Sequence, residues 1–157
     1  MKKKIIAMVL WLLVRALRVL ARRASAVRAE LRQLENGTCV RIRAGLARDE
    51  VSRALVWRDG RVLDAPEGRE AHIEIAFKSL SGAFRVFTGL ESISDAYCGH
   101  RFALTGNINE TMCLVRAIET AEGYLFPRVW NRRILKRRIR KELPTLAVYA
   151  LALAGRG

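Results

Sequence analysis

Polar and apolar residues alternate over two short stretches of the chain, residues 72–78 and residues 101–105. A period of two is typical of a strand that buries one of its faces. The side chains predicted to face inward are Ile73, Ile75, Phe77, Phe102 and Leu104. The pattern therefore predicts two strands that share an apolar face.

Between these two strands the apolar spacing changes to that of helices. The apolar positions are Phe84, Phe87, Leu90, Ile93 and Tyr97. Phe84 and Phe87, three residues apart, lie on one side of a helix, and Gly89 stands where that helix would end. The pattern predicts one helix, a glycine stop and a short second helix.

The chain after the second strand carries the signal of a helix start. Asn107, followed three positions later by Glu110, resembles a capping box. Leu114, Ile118 and Ala121 then form an apolar stripe along one side of a helix. The predicted order is strand, helix pair, strand and helix.

The part of the chain before residue 72 predicts further strands. Residues 40–43 alternate apolar residues with arginine, and apolar residues flank Asp59-Gly60, where glycine supplies the positive φ of a tight hairpin turn. We predict an α+β fold: an antiparallel sheet of about five strands, with helices at residues 80–98 and 107–124 covering one face. Helical N- and C-terminal arms flank this domain.

Four short motifs occur in an order that a known family shares. They are Ile73-Glu74-Ile75-Ala76-Phe77, Phe87-Thr88-Gly89-Leu90, Tyr97-Cys98-Gly99-His100 and Leu104-Thr105-Gly106-Asn107. In order and spacing they resemble the sterol carrier protein type-two family, over roughly residues 36–126. The chain departs from the family pattern at Thr105 and at residues 108–112.

The resemblance implies an apolar tunnel that binds a lipid without catalysis and without a cofactor. The lipid would be sterol-like, fatty-acyl or isoprenoid, and bacterial relatives serve isoprenoid quinone synthesis as accessory proteins. The side chains expected to line the tunnel are Phe77, Phe84, Phe87, Leu90, Ile93, Tyr97, Phe102, Leu104, Met112, Val115 and Ile118. The same residues also suit a filled core. The alternative is therefore an accessory or scaffold protein whose basic arms dock on a partner complex or on nucleic acid.

The positive charge of the chain, +14 in total, lies at its two ends. Residues 1–35 hold nine Lys and Arg against two Glu, and residues 128–157 hold nine against one. Residues 36–127 are nearly neutral, with eleven against twelve. This segregation indicates an anionic partner that the two arms contact.

The N-terminal arm combines ten apolar residues, 5–14, with the arginines that follow them. Ten residues are too few to span a bilayer, which needs about 20. Lys4, Trp11, Arg15, Arg18 and Arg22 fall on one stripe of a helix. This predicts an amphipathic helix in the membrane plane, with Trp11 and the three arginines as membrane contacts. Two alternatives remain: a cleaved signal peptide, or a helix that packs on its own domain or on a second copy as a homodimer.

The C-terminal arm, residues 128–157, repeats this combination. Apolar side chains interrupt its basic run and predict a basic helix, with Trp130, Arg133 and Arg137 as membrane contacts. Pro144 would end that helix, and the apolar residues 145–155 are again too few to span a bilayer. We expect both arms to hold the tunnel mouth against an anionic leaflet. Alternatively, residues 143–154 fold back and plug the tunnel.

Other function classes find little support in the chain. The aliphatic filling of both arms disfavours nucleic acid, whose binding modules use stacking aromatics. No catalytic motif occurs, although Cys98 and His100 lie two apart on a predicted turn. Three cysteines at no metal spacing indicate reduced, buried thiols. We expect no enzyme, metal or cofactor, and a cytoplasmic protein peripheral to the inner face of a membrane.

Overall fold

The computed structural model of the chain describes residues 2–45, 50–66, 68–125 and 143–155. This part of the chain forms five strands and six helices. The strands are β1 (Cys39–Ala44), β2 (Val51–Arg58), β3 (Arg61–Asp64), β4 (Ile73–Phe77) and β5 (Phe102–Thr105). The helices are α1 (Lys2–Arg23), α2 (Ser25–Leu31), α3 (Leu80–Phe87), α4 (Ile93–Cys98), α5 (Ile108–Leu125) and α6 (Thr145–Leu153). The predicted basic helix with Trp130, Arg133 and Arg137 lies outside the described residues.

The five strands form one sheet in the order β3-β2-β1-β4-β5. The predicted α+β class with a sheet of about five strands is confirmed. One detail of the prediction is wrong: β1 and β4 are parallel, while the other neighbouring pairs are antiparallel. After β3 at the sheet edge, the chain crosses past β2 and β1 before it re-enters as β4. Alternating residues specify which face of a strand is buried, but they do not encode that crossover.

The predicted turns are present with the backbone that they require. Asp59 and Gly60 have φ of 49° and 73°, the positive values of a type I′ hairpin between β2 and β3. The side chain of Asn36 holds this turn, since its amide oxygen accepts from the Asp59 backbone N–H at 2.9 Å. Gly89, at φ 73°, ends α3 as predicted, and Leu90 then donates its backbone N–H to the Arg85 carbonyl.

The start of α5 follows the predicted cap only in part. The side chain of Asn107 accepts from the backbone N–H groups of Asn109 at 2.9 Å and Glu110 at 3.4 Å, so the N-cap is confirmed. The Glu110 carboxylate does not complete the box, because it accepts from the hydroxyl of Thr38 at 3.1 Å. This contact ties the start of α5 to the residue before β1.

Helix α1 belongs to the same hydrophobic core as the sheet. Its fully buried aliphatic side chains are Ile6, Leu10, Leu13, Leu17 and Leu20. The sheet contributes Val40, Ile42, Leu55, Trp57, Val62, Ile73, Ile75 and Phe77 to this core. The sequence predicts an amphipathic helix in the membrane plane within residues 1–35, with packing on its own domain as an alternative. In the structure this segment breaks at Ala24, whose backbone is extended, and its aliphatic face packs on the domain itself. An apolar sheet face needs an apolar cover, and α1 supplies it.

Candidate functional site

A series of aromatic rings leads from the core to the surface beneath α3 and α4. The centroids of Phe87 and Phe77 are 5.1 Å apart, and those of Phe77 and Phe102 are 4.9 Å apart. Phe102 in turn lies 5.8 Å from Tyr97, whose side chain is 46% exposed. The first three rings are buried, so the series joins the centre of the core to solvent through neighbouring aromatic contacts.

The other predicted lining residues surround this series at different depths. Ile93, Val115 and Ile118 are buried in the same core cluster. Phe84 and Leu104 are half-buried against that cluster, and Met112 is also half-buried. Leu90 points outward and is 60% exposed in the connection between α3 and α4. The predicted set thus spans from the buried core to an exposed apolar rim.

The connection between α3 and α4 is held by one carboxylate. Glu91 accepts from Nε of Arg85 at 3.0 Å and from Nε of Arg101 at 2.6 Å. Arg101 lies just before β5, so the pair of contacts fastens this connection to the sheet. The two arginines are exposed, whereas the Glu91 side chain is only 11% exposed. The connection is therefore held by a carboxylate that lies between two surface arginines.

A single carboxyl group is buried near the end of α5. Glu122 is only 4% exposed, and among the described residues its Oε1 has no hydrogen-bond partner. Burial raises the pKa of Glu122 well above its usual range, and the nearby charge of Glu119 raises it further. Glu122 is not among the residues predicted from the sequence. The available signal was its position four residues after Ile118, on the apolar side of the helix.

The outward stripe of α1 holds the residues predicted to contact a membrane. Arg15 donates NH1 to the carbonyls of Ala152 at 3.0 Å and Leu153 at 3.3 Å, and its guanidinium lies 4.4 Å from the Trp11 ring centroid. Arg18 donates to the carbonyl of Val62 and to the carboxylate of Asp64. Two of the predicted arginines are thus held by the chain itself. Trp11 is half-buried and Arg22 is exposed at the end of α1.

Helix α6 presents an apolar strip to the outside. It lies against α1 and α5, with Val148 and Ala152 buried, and the hydroxyl of Tyr149 donates to the Leu125 carbonyl at 2.8 Å. On its other side Leu146 is 82% exposed and Leu153 is 60% exposed. These two leucines are seven residues apart, and Ala150 lies between them on the same side.

The cysteines and histidines are not gathered at one place. Cys39 and Cys113 are buried, which raises the pKa of each thiol, whereas Cys98 is exposed at the end of α4. Among the residues that the structure describes, no group of three or more His, Cys, Asp or Glu is placed to hold a metal ion. Within the same residues, no helix has both the length and the continuous apolar run that a membrane crossing requires.

Comparison with known proteins finds likeness among solved structures. No protein-family model matches the chain, and no curated protein sequence matches it. The solved structure of a "UbiJ-SCP2 Ubiquinone synthesis protein" is similar to it with a TM-score of 0.49 and 15% identity, over 67% of this chain and 88% of that one. The name of that protein includes the family that the sequence resembles. At this TM-score and identity, the likeness by itself assigns neither a ligand nor a role.

Proposed function

We propose that this protein binds an apolar lipid, non-covalently and without catalysis, beneath α3 and α4 while it lies on an anionic membrane surface. The observation that carries the lipid proposal is the aromatic series from Phe87 through Phe77 and Phe102 to the exposed Tyr97. Ligand pockets are lined mostly by apolar and aromatic side chains. This series supplies such side chains, and it reaches the surface at Tyr97.

Lipid entry along this route requires α3 and α4 to move away from the sheet. The features that favour such a movement are local. The connection between the two helices turns at Gly89, and its side-chain attachment includes the ion pairs of Glu91 with two surface arginines. Leu90 and Tyr97 offer an arriving lipid exposed apolar contacts at this point. The ligand would replace the contacts that these aromatic side chains now make with one another.

The lipid proposal is tested by native mass spectrometry of the purified protein, followed by organic extraction of what co-purifies. We expect a lipid in stoichiometric amount. Replacing both exposed rim residues, Leu90→Asp with Tyr97→Asp, should reduce the bound lipid several-fold, because charge at the rim opposes the entry of an apolar chain. The matched control is Ile108→Asp, an exposed apolar residue at the opposite end of β5, which should leave the bound lipid unchanged.

Two outcomes would contradict this function. A wild-type protein that carries no lipid, and that takes up none from vesicles, would favour the alternative of an accessory protein with a filled core. Equal lipid content in the rim variant and the Ile108→Asp control would show that the route does not run beneath α3 and α4.

The membrane part of the proposal rests on the α6 strip together with the basic termini. Leu146 and Leu153 expose an apolar surface, and α6 lies beside α1, whose last turn carries exposed Arg22 and Arg23. Apolar side chains next to basic ones are typical of proteins that lie on anionic bilayers. The aliphatic face of α1 is already buried in the core, so the membrane contact is assigned to its outward stripe and to α6.

Vesicle flotation tests this assignment. The wild-type protein should float with vesicles that contain phosphatidylglycerol and should bind pure phosphatidylcholine vesicles much less. Leu146→Asp with Leu153→Asp should weaken binding about tenfold or more, because two apolar contacts are lost and two negative charges are added. Leu63→Asp, at an exposed leucine on the outer face of the sheet, is the control for adding an acidic side chain at an exposed apolar position. Unchanged flotation of the α6 variant would remove this helix from the membrane contact.

A further inference from the structure

Glu122 lies on the side of α5 that carries two of the predicted lining residues. Thr111, Val115, Ile118 and Glu122 follow one another at spacings of four, three and four residues, which places all four along one side of the helix. Val115 and Ile118 belong to the same core cluster as Phe77 and Phe102. Glu122 is therefore the charged-type residue at the C-terminal end of a buried stripe whose middle, Val115 and Ile118, is apolar.

The turn of α5 that precedes Glu122 contacts α4. Glu119 lies three residues before Glu122, and its carboxylate accepts from the hydroxyl of Ser94 in α4 at 3.3 Å. Glu122 thus lies one turn beyond the contact between α5 and α4.

Among the described residues, Oε1 of Glu122 is a buried oxygen without a hydrogen-bond partner. It requires an explanation, because folded proteins pair nearly all of their buried polar atoms. Burial favours the protonated form of Glu122. A protonated carboxyl group can both donate a hydrogen bond and accept one. A hydroxyl group of a ligand could both accept from this carboxyl group and donate to it, and a carbonyl oxygen could accept from it. An anionic end would instead place a second negative charge near Glu119 in an apolar interior.

We propose that Glu122 is the polar anchor of the lipid site and selects lipids whose deep end carries a neutral hydroxyl or carbonyl oxygen over lipids that end in a carboxylate. This inference rests on the proposed lipid-binding function and narrows the class of ligand. It assigns Glu122 a hydrogen bond to the ligand, while Val115, Ile118 and the aromatic series contact the hydrocarbon part.

Displacement of the neutral fluorophore N-phenyl-1-naphthylamine tests the anchor with two probes of equal chain length. Dodecan-1-ol and dodecanoate are both presented from cyclodextrin at pH 8. The wild-type protein should prefer the alcohol by about tenfold, which corresponds to one hydrogen bond. Glu122→Gln should retain this preference because an amide also donates and accepts, and Glu122→Leu should reduce it because the alcohol loses its hydrogen bond. Glu70→Gln, at an exposed glutamate between β3 and β4, is the matched control and should retain it.

The results of this experiment distinguish a failure of the Glu122 anchor from a failure of lipid binding itself. If neither probe displaces the fluorophore from the wild-type protein, or if the fluorophore itself does not bind, the lipid-binding function fails and the anchor fails with it. If both probes bind but Glu122→Leu keeps the wild-type preference, lipid binding stands and the anchor is overturned. Loss of cooperative thermal unfolding in both Glu122 variants would also overturn it, because the carboxyl group would then be needed by the fold.

Discussion

Helices α1 and α6 are both apolar helices with basic residues near them in the sequence, yet they use their apolar side chains in different ways. Leu10 and Leu17 of α1 are fully buried against the sheet and its neighbouring helices. Leu146 and Leu153 of α6 remain exposed, at 82% and 60%. The two helices lie against each other, so the difference does not come from their location. It comes from the order of residues along each helix.

In α1 the polar and aromatic residues fall on one stripe. The remaining sides form a continuous aliphatic face more than five turns long. Such a face can cover a whole sheet. In α6 nearly every residue between Thr145 and Leu153 is apolar, so no side of the helix is distinguished by polarity. One side packs on α1 and α5, and the opposite side has no cover among the described residues.

The largest effect should come from truncating the buried face of α1. Leu17→Ala should lower the free energy of unfolding by about 2–5 kcal/mol, because it leaves a cavity in the core. Leu146→Ala, the same substitution on the exposed side of α6, should change it by less than about 0.5 kcal/mol. Urea denaturation of both variants measures the contrast. Similar losses for the two substitutions would contradict the distinction between a core helix and a surface helix.

The contrast between α1 and α6 also shows which features of the fold the sequence alone can predict. The aliphatic face of α1 was visible in the sequence, but a membrane and a sheet offer it equally apolar surroundings. The pattern of α1 could not decide between them. The hairpin at Asp59-Gly60, the stop at Gly89 and the cap at Asn107 were predictable because each depends on the backbone of a few neighbouring residues.

The contacts that the sequence could not predict are those between residues that are distant from each other in the chain. The parallel pairing of β1 with β4 depends on the route of the chain across the sheet. The contact of Arg15 with the end of α6 joins residues 137 positions apart. Glu122 is buried because α5 packs against α1, α2 and α6, and the sequence offers only its place on the apolar side of α5 as a signal. The local pattern of polar and apolar residues predicts the helices and strands. Which of them contact one another is decided by the packing of the whole chain.

A smaller effect is expected where α1 holds α6. The last carbonyls of a helix lack partners within it, and Arg15 donates to two of them at the end of α6. Arg15→Ala should destabilise the docked α6 by about 1–1.5 kcal/mol. Hydrogen exchange should then show about tenfold faster exchange of the α6 amides.

The control for this change is the remainder of α1. Amides near Leu10 and Leu17 should keep their protection in Arg15→Ala, because the buried face of α1 does not depend on α6. Arg15→Lys should fall between the wild type and the alanine variant, since a lysine keeps the charge but loses the planar guanidinium over Trp11. Faster exchange throughout α1 would mean that α6 supports the core helix and does not merely lie on it.

The smallest effect should come from the exposed ion pair between α1 and β3. Arg18 contacts the Asp64 carboxylate at 2.9 Å, and Asp64 is largely exposed. Asp64→Asn should lower the free energy of unfolding by about 0.2–1 kcal/mol, and the difference should shrink at 1 M NaCl because the Debye length falls to about 3 Å. Arg18 would still donate Nε to the carbonyl of Val62 at 3.1 Å, so α1 stays attached to β3. A loss comparable to that of Leu17→Ala, or one insensitive to salt, would show that charge and not the aliphatic face holds α1 on the sheet.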